Sequence, residues 1–295
     1  MKSIFVSIGS YNESDLLQTI ESALKNAEYP ERIHFGICEN RNDNNFTNLE
    51  HIPNLRKMNV YSSLPLGLGF SRSAPLQFID NEDYYFQTDA HMLFDKNWDS
   101  DLIYYHEIIK KDYNKPIISS YTSWWGVEND GSISRYNPEN ITKQDPMCIH
   151  KDKQVLYRNG YIVLGTEEFN WENELYKEHY FIGGAMLFAD IKFAYEIMPD
   201  PFIKFDGDEQ LQALRAYTRG YRIFAIPKNI VWHKNKYYND EFKKPTEWRS
   251  YHKYANKEDT DFYWRKMDSS LWRIKNISTG QEYGYWGSPN PELLK

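Results

Sequence analysis

Cysteine is scarce in this chain. Its two residues, Cys38 and Cys148, stand far apart with no C-x-x-C spacing. That excludes a cysteine-based metal site and a disulfide framework, and it fits a reducing compartment. Long apolar runs are also missing: no stretch approaches the roughly 20 residues that a spanning helix requires. The opening Ile4–Ile8 run is too short for a signal peptide. A cytoplasmic location, bacterial or in the host of a phage, and no membrane partner are therefore expected. Basic surplus is lacking as well, with 35 Lys and Arg against 42 Asp and Glu and a net charge of −7. That balance argues against polyanion binding over the whole surface, although it leaves room for a local basic groove. No Gly-Lys-Ser/Thr follows a glycine-rich turn, so there is no P-loop. Aromatics, by contrast, make up 17% of the chain, with 24 Tyr and 9 Trp. Such rings serve where an apolar body and a polar tip are both useful, as on sugar-stacking and base-stacking surfaces. With 41% hydrophobic residues among 295, the chain can build one large α/β domain or two small ones.

The apolar run Ile4–Ile8 reads as a strand delivering the loop Gly9-Ser10-Tyr11-Asn12. Asn12 or Ser14 is expected to cap a helix whose Leu16, Leu17, Ile20, Ala23 and Leu24 keep a helical period. Ile33–Cys38 is the next strand. Strand, helix and strand in that order predict a parallel sheet with a right-handed crossover. Ligands of such sheets bind over the carboxyl ends of the strands, here near Ser10, Tyr11 and Glu39. Val60–Ser63 reads as a third short strand. After it, Gly67 and Gly69 let backbone N–H groups approach an anion, and Arg72 can offer charge to a diphosphate.

The stretch Asp80–Phe94 organises the rest. Tyr84–Phe86 reads as a strand ending in Asp89-x-His91. Alternate residues of an extended chain share a face, so Asp89 and His91 can supply half of a divalent-metal site. A bare D-x-H is equally a solvated acid beside a packed imidazole. A helix over Asp99–Lys110 and a strand over Pro116–Tyr121 follow. From 124 to 176 the pattern becomes an irregular excursion with short strands such as Tyr161–Leu164, expected to shape acceptor binding. Tyr180–Phe188 reads as a strand holding Gly183-Gly184, a mark of close approach by a ligand or another backbone. Asp208 and Glu209 precede a helix over Leu211–Tyr217 that Gly220 ends. The helix dipole favours acids there in any case, so a catalytic or sugar-binding role stands beside a purely electrostatic one. His233 ends a strand-like run, as His91 does. Residues 236–295 mix aromatics with both charges and are expected to pack on the 1–235 domain; aromatics between cations could also stack splayed bases.

Three blocks, taken in order, resemble the polypeptide α-N-acetylglucosaminyltransferases that modify hydroxyproline. The first is Ser7-Ile8-x-Ser10-Tyr11 with Leu16-Leu17 and Pro30-Glu31-Arg32-Ile33. The second is Asp83-Tyr84-Tyr85-x-Gln87-x-Asp89-x-His91-Met92-x-Phe94 with Trp98-Asp99. The third is Phe205-x-Gly207-Asp208-Glu209 with Leu214-Arg215, Thr218-x-Gly220-Tyr221 and Val231-x-His233. The resemblance implies a GT-A fold, an α/β architecture with a Rossmann-like, mostly parallel central sheet flanked by helices. It implies a UDP-sugar donor and a divalent cation, Mn²⁺ or Mg²⁺, on Asp89, His91 and His233. It places Ser10, Tyr11 and Arg72 on the nucleotide and diphosphate; Glu39, Gly67, Asp89 and Gly184 complete the expected cofactor-binding set. Asp208 and Glu209 would lie beside the transferred sugar and the acceptor. Where the family reads Gly-Glu-Glu, this chain has Gly207-Asp208-Glu209, one methylene shorter at the first acid. The implied activity is metal-dependent transfer of GlcNAc or a related sugar, with retention, to a hydroxyl on a protein. Hydroxylated bases of phage-like DNA are the alternative acceptor. A non-catalytic carbohydrate-binding protein on the same scaffold is the alternative of another class.

Overall fold

The computed structural model describes residues 1–63, 65–128, 130–136, 147–149, 156–158, 161–163, 166–168, 171, 174–205 and 207–234. The expected extension over 236–295 lies outside the described residues. In chain order the elements are β1 (Ile4–Tyr11), α1 (Leu16–Asn26), β2 (Ile33–Arg41), β3 (Leu55–Tyr61), α2 (Leu68–Ser73), β4 (Tyr84–Asp89), β5 (Met92–Phe94) and α3 (Trp98–Ile109). Next come β6 (Pro116–Ser119), β7 (Ser123–Val127), β8 (Ile133–Tyr136), β9 (Met147–Ile149), β10 (Leu156–Arg158), β11 (Tyr161–Val163) and β12 (Thr166–Glu168). The last are β13 (Lys177–His179), β14 (Met186–Asp190), α4 (Lys192–Glu196), α5 (Asp208–Thr218), β15 (Arg222–Ala225) and β16 (Val231–Lys234).

An eight-stranded sheet runs in the order β13-β15-β6-β14-β4-β1-β2-β3. Strands β3, β2, β1 and β4 are parallel, whereas β14 runs against both of its neighbours and β13 against β15. The sheet is covered on both faces, which is why its central strands read as unbroken apolar runs. Ile4, Val6, Ile8, Tyr84 and Phe86 point to one side, packing with Leu16 and Ile20 of α1 and Trp98 and Leu102 of α3. Phe5 and Tyr85 point to the other, packing with Phe193 of α4 and Ala213 and Ala216 of α5. That split is the two-residue period of an extended chain.

Three local expectations need correction. Strand β3 begins at Leu55 rather than Val60. It is an edge strand with a half-exposed burial pattern, so its first residues carry little apolar signal. Strand β14 begins at Met186, because Gly183 and Gly184 form the turn before it. Neither Asn12 nor Ser14 caps α1. Asn12 adopts a left-handed φ of 46° and its side chain accepts the Asn42 N–H, while Glu13 Oε1 takes the N–H groups of Ser14 and Asp15.

The expected excursion is more regular at its start than the pattern suggests. β7 and β8 pair antiparallel and join β16 and β5 in a second sheet, ordered β5-β16-β7-β8. Its register sets His233 opposite Met92 on one side and Trp124 on the other. This small sheet follows the carboxyl end of β4; it carries His233, and His91 immediately precedes its strand β5. Among the described residues, no helix is long and apolar enough to cross a membrane.

Candidate active site

The site forms where β4 ends. Asp89 is its last residue and pairs in register with Gly9 of β1. A Cβ on Gly9 would lie 2.8 Å from the Ser71 carbonyl oxygen, so the bare glycine lets α2 close against β1. That approach brings the buried Arg72 across to β4. Its Nη2 donates to Asp89 Oδ1 at 2.9 Å and its Nη1 to Asp208 Oδ2 at 2.7 Å. Gly184 is the wall behind the guanidinium, since a Cβ there would meet Nη1 at 2.5 Å. The Gly184 N–H donates to Glu209 Oε1 at 2.6 Å, and its carbonyl accepts from Gln87 Nε2 at 3.0 Å. The first turn of α5 thus presents both acids, Asp208 and Glu209, to one arginine.

His91 follows Asp89 by one turn residue and is locked by its own carbonyl. That oxygen accepts from the Lys234 N–H at 3.0 Å and from the Trp125 indole N–H at 3.1 Å. The Nε2 atoms of His91 and His233 lie 2.8 Å apart, with Asp89 Oδ2 3.6 Å from His233 Nε2. One ligand atom from each of Asp89, His91 and His233 falls within 4.8 Å of the others. Two imidazole nitrogens and a carboxylate oxygen suit a first-row divalent ion better than an all-oxygen Mg²⁺ shell. The donor set therefore fits the implied cation.

The charges reinforce one another. Burial alone would raise the Asp89 pKa, but the Arg72 guanidinium, His233 and His91 hold it well below the usual carboxylate range. Burial likewise works against the charged Arg72, yet Asp89, Asp208 and Glu209 raise its pKa further. Glu209 goes the other way. Burial pushes its pKa up, Arg72 and the Gly184 N–H pull it down, and the neighbouring Asp208 and Asp89 push it up again, for a net rise.

The remaining expected residues divide. Ser10 is buried near the end of β1 opposite Glu39, and its hydroxyl meets no protein partner among the described residues. Tyr11, half-buried, sits opposite Asn40 at the same edge. Gly67, at φ 105°, opens α2 and lies against Lys204, whose carbonyl accepts the Leu68 N–H. Glu39 does not present a free oxygen to this edge. Its carboxylate is fully buried and held by Lys57, Arg41 and both the N–H and hydroxyl of Thr47.

Two residues outside the expected set belong here. Gln212 Nε2 donates to Asp208 Oδ2 at 2.8 Å. It stands four positions after Asp208 on α5, a spacing that stacks side chains on one helix face and was visible in the sequence. Glu13 Oε2 lies 2.9 Å from His91 Nδ1, and no local pattern announced it. Asp208 Oδ1, Gln212 Oε1 and Arg72 Nε are buried without a protein partner among the described residues.

Comparison with known proteins adds to this geometry. The family model for Glycosyltransferase (GlcNAc) matches residues 3–62 and 46–277. The crystal structure of GalNAc-T7 with UDP, GalNAc and Mn²⁺ is similar in fold, with a TM-score of 0.59 at 15% identity over 99% of this chain and 54% of that one. The chain therefore spans about half the length of that protein. The structure of S. aureus TarS residues 1–349 in complex with UDP-GlcNAc aligns with a TM-score of 0.49 at 12% identity, over 96% of this chain and 76% of that one. No curated protein sequence matches. The fold is the GT-A fold, a central sheet flanked by helices.

Proposed function

The chain belongs to the glycosyltransferase (GlcNAc) family, and on that premise we propose that it moves GlcNAc or a related sugar from a UDP-sugar to a hydroxyl on a protein. The proposed transfer retains configuration and uses Mn²⁺ or Mg²⁺ on Asp89, His91 and His233. The hydroxyproline side chain is the acceptor that the sequence blocks imply. One observation carries the reading: three candidate metal ligands, one carboxylate and two imidazoles, converge at the end of β4, against the arginine that also holds Asp208 of α5. The GalNAc-T7 structure, which contains UDP, GalNAc and Mn²⁺, supports the choice of donor and cation.

The residues divide the work as follows. A divalent cation bound there supplies a Lewis acid that offsets charge on the departing diphosphate. Arg72 fixes Asp89 through one oxygen and leaves the other turned toward the histidines. The same guanidinium anchors Asp208 at the start of α5. We assign Ser10, Tyr11 and Gly67 to the nucleotide side, and Asp208 and Glu209 to the sugar and acceptor. Glu209 is carried on the Gly184 N–H, so it is fixed in place before any ligand arrives. Orientation of this kind lowers the barrier without a strong base, and no side chain is assigned as a nucleophile.

The test is UDP release from a panel of UDP-sugars with Mn²⁺, for wild type and His91→Ala, with protein hydroxyls and hydroxylated DNA as acceptors. Manganese-dependent release from one donor, lost in the variant, is the expected result. Absence of release from every donor, with no thermal shift by UDP plus Mn²⁺, would replace this reading with a carbohydrate-binding module.

A further inference from the structure

We propose, on the strength of the metal reading above, that Glu13 is a positioning residue for the candidate metal centre. It fixes the His91 ring so that Nε2 bears the lone pair facing Asp89 and His233.

The geometry is direct. Glu13 sits in the loop between β1 and α1, and its side chain is only 12% exposed. Oε1 is held by the N–H groups of Ser14 at 3.1 Å and Asp15 at 3.4 Å. Oε2 then lies 2.9 Å from His91 Nδ1. An ionised carboxylate only accepts hydrogen bonds, so this contact requires the ring proton on Nδ1 and leaves Nε2 unprotonated in the neutral ring. Nε2 is the His91 atom that points at His233. A carboxylate behind a ligating imidazole also makes the ring a better donor, and losing such a partner typically weakens metal binding by 10–100-fold.

The same loop secures the second ligand strand. Both carboxylate oxygens of Asp15 accept from Lys234 Nζ at 2.7 Å, one residue beyond His233, and the Lys234 N–H bonds the His91 carbonyl. The segment that leaves Ser10 and Tyr11 thus buttresses both histidines. The proposed role of Glu13 acts through the ring of His91.

Two readouts test this on the full chain. Imidazole ¹⁵N correlation spectra of the metal-free protein report the His91 tautomer, and manganese EPR in the presence of UDP reports Mn²⁺ affinity. Wild type should show the Nδ1–H tautomer. Glu13→Ala should lose it and bind Mn²⁺ about 10–100-fold more weakly. Glu13→Gln has one acceptor oxygen for the donors that two oxygens serve here, so it should fall between wild type and Glu13→Ala in both tautomer and affinity. Should the alanine variant not fold, Glu13→Asp, one methylene short of the ring, should reproduce its losses. Unchanged tautomer and affinity within twofold in Glu13→Ala, or in Glu13→Asp where the alanine variant does not fold, would overturn the proposal. A tautomer that depends on Glu13 in a wild type that binds no Mn²⁺ would overturn the metal reading while supporting the contact with the ring.

Discussion

Two buried arginine–aspartate clusters in this molecule use the same chemistry for different ends. In the first, Arg32 Nε donates to Asp99 Oδ2 at 2.9 Å and its Nη2 to the Ser100 hydroxyl at 2.6 Å. The Glu28 and Tyr29 N–H groups take the rest of the Asp99 carboxylate. Every acceptor has a donor, and the cluster closes on itself as a joint between the turn before β2 and the start of α3. In the second, Arg72 faces Asp89, Asp208 and Glu209 together. Here Arg72 Nε, Asp208 Oδ1 and Gln212 Oε1 have no protein partner among the described residues. Buried polar groups left unmatched cost about 1–3 kcal/mol each, so an incomplete network is a poor joint. Under the proposed function it is the surface that receives the donor, at the sheet edge where α/β proteins bind ligands.

Removing the arginines one at a time separates the two roles, and it should give the largest effect. Arg72→Ala leaves Asp89, Asp208 and Glu209 without the cation they share and should cost about 3–5 kcal/mol of stability, with loss of transfer activity. Arg32→Ala should fall near the lower end of that range, because two backbone N–H groups still hold Asp99. Its folded fraction should turn over at the wild-type rate. Chemical denaturation with activity normalised to folded protein checks both. Equal specific activity in the two variants would erase the functional distinction between the clusters.

The histidines permit the same contrast. His179 is buried with Nε2 2.8 Å from the Ser119 carbonyl, and burial pushes its pKa down to about 4. It is a structural histidine, so His179→Ala should cost about 1–3 kcal/mol of stability and leave the rate of folded enzyme intact. His91→Ala should do the reverse. Loss of several kcal/mol of Lewis-acid stabilisation corresponds to about two to three powers of ten in rate, with little change in melting temperature. Stopped turnover in His179→Ala, at full folding, would break that division.

Much of the closed part of the molecule was legible. The runs of β1, β2 and β4 and the period of α1 reflect burial against neighbours that any apolar run would find. Elements with one exposed face were harder: β3 shows itself only at Val60 and Tyr61, since its earlier residues are half in water. The pairing of β7 with β16 depends on partners far along the chain, and Trp124-Trp125-Gly126 carries no two-residue alternation to announce it. At the site, Asp89, His91, His233, Arg72, Asp208 and Glu209 were readable as blocks, and the structure brings them together. Glu39 was placed at the right edge, but only the fold reveals that Lys57, Arg41 and Thr47 use up its carboxylate. Glu13 was invisible because its partner lies 78 residues away, while its neighbours Asn12 and Ser14 suggested a helix cap.

A smaller effect should come from Gly184→Ala. The added methyl would fall 2.5 Å from Arg72 Nη1, so the guanidinium must move off Asp89 or Asp208. Crowding of this kind costs about 1–3 kcal/mol, and activity should fall further than stability because the displaced group belongs to the site. Gly220→Ala, at φ 84° with open space around it, strains only a turn; it should lose about 1–2 kcal/mol and no specific activity. Matched losses of activity in the two would deny Gly184 its part in seating Arg72.

The smallest expected change has the opposite sign. Burial raises the pKa of Glu209 above the usual 4.5. Above pH 4.5 the unfolded chain ionises this carboxyl while the folded chain resists, so Glu209 lowers stability as pH rises through the gap between the two pKa values. The penalty then persists at neutral pH. Glu209→Gln removes the charge and keeps an oxygen for the Gly184 N–H. It should therefore stabilise the protein at pH 7, by about 1 kcal/mol, the usual scale for a favourable substitution. The gain should shrink on acidification and vanish below about pH 4.5. Asp99→Asn in the closed cluster should destabilise at pH 7, because that carboxylate is matched by Arg32 and two N–H groups. Denaturation curves from pH 4 to 8 for the two variants compare them directly. A Glu209→Gln protein that is less stable than wild type at pH 7 would mean that this acid, too, is part of a closed joint.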